Sequence, residues 1–255
     1  MDLGQALILG IIEGLTEFLP VSSTGHLILA ARLLKLPSTE FLKSFEIAIQ
    51  LGAILAVVIL YASSFLRDFA IIKRIAAAFF PTAVLGLIFY KIIKNFLLGN
   101  AQIVLWSLFL GGIFLIVFEC LHKEKNDAQE DIAKMSLPKA FWIGVFQSLA
   151  FIPGVSRAGA TIIGGLILGL KRKTIVEFSF LLAVPTMLAA TALDLLKNAS
   201  SFHADQFLFL AAGFVSSFIV AVVSIKFFLH FIQRHNFISF GIYRILAALL
   251  FWKFI

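Results

Sequence analysis

The chain has 255 residues, 61% of them hydrophobic, with 29 phenylalanines and only 14% charged residues; its mean hydropathy is +1.03. A soluble domain averages roughly 45–50% apolar and about 25% charged residues, so this is the composition of an integral membrane protein without a large separate soluble domain. The net charge of +7 does not argue for nucleic acid, because Lys and Arg gather in short loops between apolar runs, as the positive-inside rule expects. The single cysteine, Cys120, excludes an internal disulfide and a multi-cysteine metal site.

A helix needs about 20 apolar residues to cross a bilayer. Residues 1–36 are too few for two crossings and break in the middle at Leu19-Pro-Val-Ser-Ser-Thr-Gly25. No basic n-region or small-residue cleavage site precedes the break, so no removable signal peptide is expected. Span one is predicted at 47–66, its helix starting near Glu40, and span two runs from Ile75 to about Tyr90 and on to Asn95. Span three covers 102–121, followed by a polar loop at 122–138 with mixed charges and no hydrophobic period. Residues 139–170 again break midway, at Pro153-Gly-Val-Ser-Arg-Ala-Gly159. Spans four, five and six follow at about 174–196, 206–229 and 237–254.

The two broken segments repeat one another. Aligned without a gap, Gly10 meets Gly144, Leu15 meets Leu149, Val21 meets Val155, Ser22 meets Ser156 and Gly25 meets Gly159. A weaker echo links Phe45 to Gly52 with Phe178 to Pro185. Each broken segment reads as a helix that dips into the bilayer, turns at depth and returns, which is tolerated only where the backbone is buried in protein or lines a wet cavity. The expectation is an all-α integral membrane fold of one domain: six transmembrane helices plus two re-entrant helical hairpins. Repeat one would cover about 1–100 (re-entrant 1–36) and repeat two about 139–230 (re-entrant 139–170).

Loop charges set the orientation. Arg67, Lys73 and Arg74, then Lys171, Arg172 and Lys173, then Lys226 and Arg234 fall on one side together with the loop at 122–138. That side is cytoplasmic by the K/R bias, with Lys91, Lys94 and Lys197 as mild exceptions. Three crossings then separate the hairpins, so the second copy is inverted and the two tips would meet near the bilayer centre.

Ionisable residues at membrane depth are by default functional, and duplicated, broken apolar segments point to a site at a repeat interface. Glu13 and Glu17 are one helical turn apart, so both carboxylates share a face and repel unless a proton or cation lies between them. A hard divalent cation, Mg²⁺ or Ca²⁺, suits them. Ser22, Ser23 and Thr24 precede His26: hydroxyls beside an imidazole form a minimal activated nucleophile, or cap the second half-helix. Around Gly154, Ser156, Arg157 and Thr161 the second tip looks like a phosphate cradle, with a helix N-terminus aimed at an anion and a guanidinium able to grip phosphate oxygens. Gln50 and Gln147 would donate to phosphate or bond between helices. His122, His203, His230 and His235 read as solvated or interfacial, and Glu46, Glu119, Glu177 and Asp194 as partners of loop cations. Together the tips suit phosphoryl transfer, where positioning and charge neutralisation supply most of the catalysis, and a site in a membrane suggests a lipid phosphate.

At these residues the chain resembles the undecaprenyl-diphosphatase (bacitracin-resistance) family, over almost its whole length. The resemblance rests on Glu13-Gly-Leu-Thr-Glu17-Phe-Leu-Pro-Val-Ser-Ser23-Thr-Gly-His26 and Pro153-Gly-Val-Ser156-Arg157-Ala-Gly-Ala-Thr161. It implies hydrolysis of a polyprenyl diphosphate lipid to the monophosphate carrier used for peptidoglycan, with a divalent metal. It further implies a bacterial cytoplasmic (inner) membrane protein whose active site opens to the outer, periplasmic side, and allows a homodimer. By similarity Glu13 and Glu17 handle metal or diphosphate, Ser23 and His26 are catalytic, and Arg157 binds phosphate. The family often carries a second Ser after the arginine, where this chain has Ala158. Ser23, His26 and water all stay open as the nucleophile. A rival reading is a transporter or flippase of a prenyl-phosphate lipid using the same site; a structural scaffold would leave Glu13, Glu17 and Arg157 unexplained.

Overall fold

The computed structural model describes residues 1–63, 68–92, 97, 100–125, 127–198 and 206–253, with the backbone alone at 90, 91 and 194–198. Arg67, Lys94 and His203 lie outside the described residues, as do the side chains of Lys91, Asp194 and Lys197. Among the described residues the fold is all-helical, with ten α-helices and no strand. They are α1 (Leu3–Thr16), α2 (Ser23–Leu33), α3 (Glu40–Leu60), α4 (Phe69–Ile92), α5 (Ala101–Leu121), α6 (Leu137–Gln147), α7 (Arg157–Ile167), α8 (Arg172–Asn198), α9 (Phe207–Phe231) and α10 (Ile238–Trp252).

Local chemistry starts these helices. Asp2 and Gln5 form a reciprocal capping box on α1, each accepting the other's backbone N–H at 2.8 Å. Thr39 caps α3 through Leu42 N–H, and Asn100 caps α5. Five helices (α3, α4, α5, α8 and α9) are long and apolar enough to cross a membrane. The expected sixth span is the shorter α10, 15 residues, about 22 Å at 1.5 Å per residue. Helix α3 starts at the expected Glu40 and ends at Leu60; Leu66, the expected end of the span, lies outside the described residues.

Both broken segments are helix–turn–helix units. α1 and α2 join through residues 17–22; α6 and α7 join through a 3₁₀ turn, Ser148–Phe151, and residues 152–156. Helix α1 lies against α9, and α6 lies against α4. Helix α9 also packs on α3, α4 on α8, α3 on α8, and α5 on α10. Small residues allow these approaches: a Cβ at Gly10 would overlap the Gly213 carbonyl, and one at Gly144 the Ala78 carbonyl. Small-residue stripes are the usual device for close helix packing in lipid, where apolar burial alone gives no preference for protein over lipid.

Three cations of the expected cytoplasmic loops, Arg74, Lys171 and Arg172, gather around the 122–138 segment. Arg74 on α4 donates to the Met135 carbonyl at 2.7 Å. Arg172 at the start of α8 pairs with Glu119 at the end of α5 and lies over the Phe237 ring. The polar segment 122–138 is pinned there by a single parallel bridge between Gln129 and Leu170, by Thr174 donating to the Glu130 carbonyl, and by buried Ile132 and Met135. Lys171 pairs with Glu130; the ammonium holds that carboxyl below its ordinary range, and the carboxylate raises the ammonium. At the far end, Trp252 of α10 meets Gln102 of α5.

Candidate active site

The two turns have the same backbone signature. Ser22 and Ser156 adopt φ of 72° and 78°, left-handed conformations that cost a non-glycine residue about 1–3 kcal/mol. Each then caps the helix that follows: Ser22 Oγ accepts from Gly25 N–H at 3.4 Å, and Ser156 Oγ from Gly159 N–H at 3.1 Å. Each carbonyl accepts the next turn's N–H, from His26 and Ala160. The first N–H groups of α2 and α7, at Ser23, Thr24, Arg157 and Ala158, have no partner within their helices. Both helix starts therefore present donors and a positive dipole end.

The turns meet. Arg157 Nη2 donates to Glu17 Oε1 at 2.7 Å, joining residues 140 positions apart. Ser23 Oγ donates to the other oxygen, Glu17 Oε2, at 2.5 Å. Arg157 Nη1 is anchored on Ser179 of α8, at 2.8 Å to its carbonyl and 3.3 Å to its hydroxyl, and the guanidinium lies over the Phe18 ring. The pair is buried: the Glu17 side chain is 2% exposed and the Arg157 side chain 10%. Of five guanidinium N–H donors, three are spent, which leaves Nε–H and one Nη2–H. A cavity of about 200 Å³ opens beside them, lined by Glu17, Ser22, Ser23, Thr24, Gly154, Ser156 and Arg157 among others. A larger hollow near Met1 and Leu36 holds none of the candidate residues.

Three candidates stand off the cavity. Glu13 is fully buried, and neither carboxylate oxygen has a hydrogen-bond partner. Thr161 is fully buried and gives its hydroxyl proton to the Arg157 carbonyl at 2.8 Å, so it braces α7 from behind rather than facing the cavity. His26 was expected to serve Ser23, but Ser23 gives its proton to Glu17 instead. His26 Nδ1–H donates to the Ser22 carbonyl at 2.8 Å; Nε2 then accepts from the Tyr243 hydroxyl, also at 2.8 Å. Both ring nitrogens are engaged, because the tip carries the histidine onto α10 rather than into the cavity.

Among the described residues no group of three or more His, Cys, Asp or Glu side chains gathers as a metal cluster. The oxygens available are still of the right kind for a hard cation: two carboxylates one turn apart, one of them with both oxygens unpaired. Mg²⁺ commonly uses only one or two carboxylates and takes the remainder from substrate phosphate and water.

Other residues resolve as follows. Gln147 bonds between helices, donating to Thr82 and Thr186. Glu119 and Glu177 pair with cations, Arg172 and Lys173. Glu46 forms no ion pair among the described residues. His122 and His235 stack on Phe118 and Phe231, and His230 is exposed at the end of α9. Two residues of α10 were not anticipated from sequence. Tyr243 holds His26, and Arg244, fully buried, donates to carbonyls of both turns. The available signal was an arginine inside the apolar run of α10.

Fold and site together define a class: a multi-helical membrane protein with an acid–hydroxyl–guanidinium cluster where two broken helical segments meet. The family model described as Bacitracin resistance protein BacA matches residues 6–250, and the chain belongs to that family. It is 55% identical to a protein of Aquifex aeolicus (strain VF5) named undecaprenyl-diphosphatase, over 98% of this chain and 97% of that one. Relatives of the same name in Persephonella marina and Wolinella succinogenes are 53% and 50% identical, covering 100% and 98% of this chain and 100% and 97% of theirs.

Proposed function

We propose that the protein is a membrane phosphatase that hydrolyses undecaprenyl diphosphate to undecaprenyl phosphate and inorganic phosphate, recycling the carrier lipid and so conferring bacitracin resistance. The observation that carries the reading is Ser23, its hydroxyl on one oxygen of Glu17 while Arg157 holds the other. A hydroxyl held on a carboxylate is the arrangement of an activated nucleophile; carrying a lipid has no use for it. The cavity is smaller than the roughly 300–1,000 Å³ of a pocket that encloses a drug-sized ligand, which suits a diphosphate head whose prenyl chain stays in lipid.

In this mechanism the terminal phosphate binds at the free N–H groups of α7 and the spare Arg157 donor, with Ser22 and Ser156 lining the same space. Ser23 Oγ bonds to the terminal phosphorus as the bridging P–O bond breaks, and its proton passes to Glu17. The prenyl monophosphate leaves as an anion. Water then attacks the phosphoserine as the Ser23 Oγ–P bond breaks; Glu17 returns its proton to Ser23 Oγ, and both water protons stay on the released phosphate, one in the new P–OH and one on a phosphoryl oxygen. His26, locked between Ser22 and Tyr243, positions the start of α2. Glu13 and Glu17 would hold a divalent cation, Mg²⁺ or Ca²⁺, which when bound neutralises diphosphate charge and polarises phosphoryl oxygens.

The finer architecture belongs to the same reading: six crossings, counting α10, and two re-entrant hairpins. The hairpin helices support it by length, since 14 residues in α1 reach only about 21 Å against a hydrocarbon core of about 30 Å. The reciprocal packing of α1 on α9 and α6 on α4 supports an inverted repeat of about 1–100 and 139–230. The cationic end is cytoplasmic by the K/R bias, in a bacterial inner membrane, and the site opens to the periplasmic side; a homodimer is compatible with this. The test is phosphate release by detergent-purified protein from a prenyl diphosphate, with and without chelator. Release that stops with chelator and in Ser23→Ala supports the proposal. Wild-type protein that binds the lipid and releases nothing refutes it.

A further inference from the structure

Among the described residues Arg244 is the largest fully buried side chain, 1% exposed, and no carboxylate pairs with it. All five of its N–H donors end on backbone carbonyls. Nε reaches Leu108 at 3.4 Å; Nη1 reaches Pro20 at 3.2 Å and Val155 at 2.9 Å; Nη2 reaches Ser107 at 2.9 Å and Gly154 at 2.8 Å. Pro20 belongs to the first turn, Gly154 and Val155 to the second, and Ser107 and Leu108 to α5. One rigid plane therefore sets the distance between the turn that carries Ser23 and the turn that carries Arg157. Gly111 makes room for it: a Cβ there would come 2.1 Å from Nη2.

We infer that Arg244 is a positioning residue for phosphoryl transfer, holding the two turns in reacting register from behind the cavity. The inference rests on the hydrolase reading above. Arg244 does not line the cavity, so it acts through peptide groups. A trans peptide points its C=O and N–H in opposite directions; with the Val155 carbonyl captured, the Ser156 N–H faces away from Arg244. The unneutralised guanidinium also adds positive potential beneath a site for an anion, worth most where water is excluded. Lysine cannot substitute, having three donors and no plane.

The phosphate-binding donors lie together on the second turn, while Ser23 lies on the first. Loosening the register should therefore lower kcat more than it raises KM. The test uses the full-length protein as Arg244→Lys and as Gly111→Ala; the second crowds Nη2 without altering any residue at the cavity. Misplacement of about 1 Å can cost around a hundredfold in rate. In monodisperse, folded Arg244→Lys, kcat is expected to fall about a hundredfold with KM changed less than about threefold. In Gly111→Ala the same pattern is expected at about tenfold, and this variant decides the matter if Arg244→Lys does not fold. Folded variants with wild-type kcat, or losses that only track the folded fraction, overturn the inference while the wild type still releases phosphate. A wild type that releases none overturns the hydrolase reading itself and this inference with it.

Discussion

Glu17→Gln removes one charge and keeps the shape of the side chain. In the native protein that charge does two jobs: it neutralises Arg157 at 2.7 Å, and it accepts the Ser23 hydroxyl at 2.5 Å. With the Glu17 side chain 2% and the Arg157 side chain 10% exposed, the substitution leaves a buried guanidinium uncompensated. Breaking such a pair from one side typically costs about 3–5 kcal/mol. The double variant Glu17→Gln/Arg157→Met removes both charges and should recover much of that loss, a coupling that a double-mutant cycle reads as non-additivity. Activity should behave differently. Loss of the base on Ser23 should cost about 10²–10⁴-fold in kcat, and the double variant should be at least as inactive as either single one. Unfolding in detergent and phosphate release, measured on the same preparations, separate the two. Additive stability losses, or Glu17→Gln within about tenfold of wild-type kcat, would refute the assignment of Glu17 to both partners.

Other consequences can be checked alongside. Glu13→Gln places at Glu13 the residue that the second copy has at Gln147; it removes a buried carboxylate with no partner and the repulsion of Glu17, so the midpoint of thermal unfolding should rise while phosphate release and its dependence on added Mg²⁺ fall. A less stable protein with normal activity would contradict that. Tyr243→Phe deletes the proton donated to His26 but none of the groups at the cavity, and should lower kcat by less than Ser23→Ala does; equal loss would move His26 into the chemistry. The Glu130–Lys171 staple should hold the 122–138 segment between two limits. Glu130 is depressed, so the contact is present above the usual carboxylate value of about 4.3 and lost as pH falls through its lower folded value; Lys171 is raised, so the contact persists through about 10.4 and is lost above it. Limited proteolysis of that segment at pH 7 should quicken in Glu130→Gln, and equal rates in the variant and the wild type would contradict the staple.

The broken segments were legible because two physical signals coincide in them. Prolines and glycines interrupt apolar runs too short to cross twice, and ionisable residues occur where lipid would not tolerate them. Pairing of Glu17 with Arg157 follows from the repeat once its inversion is inferred, since opposed turns bring unlike charges together. What the sequence did not disclose lies in α10. Arg244 carries the same depth signal as Arg157, yet its partners are five carbonyls, which leave no side-chain signature in the chain. Tyr243 looks like one more aromatic on an apolar helix until its hydroxyl is seen on His26. His26 stands only three positions after Ser23, but the helix begins at Ser23 and carries the imidazole onto Tyr243, of a helix more than 200 residues away.

Rapid-quench labelling on Ser23 tests the central mechanism most directly. Mixing enzyme with a prenyl diphosphate labelled in its terminal phosphate should place label, transiently and before free phosphate accumulates, on the peptide that contains Ser23, and Ser23→Ala should abolish it. Normal turnover with label on the peptide's His26, or with no labelled protein at any time point, would contradict a serine nucleophile held by Glu17.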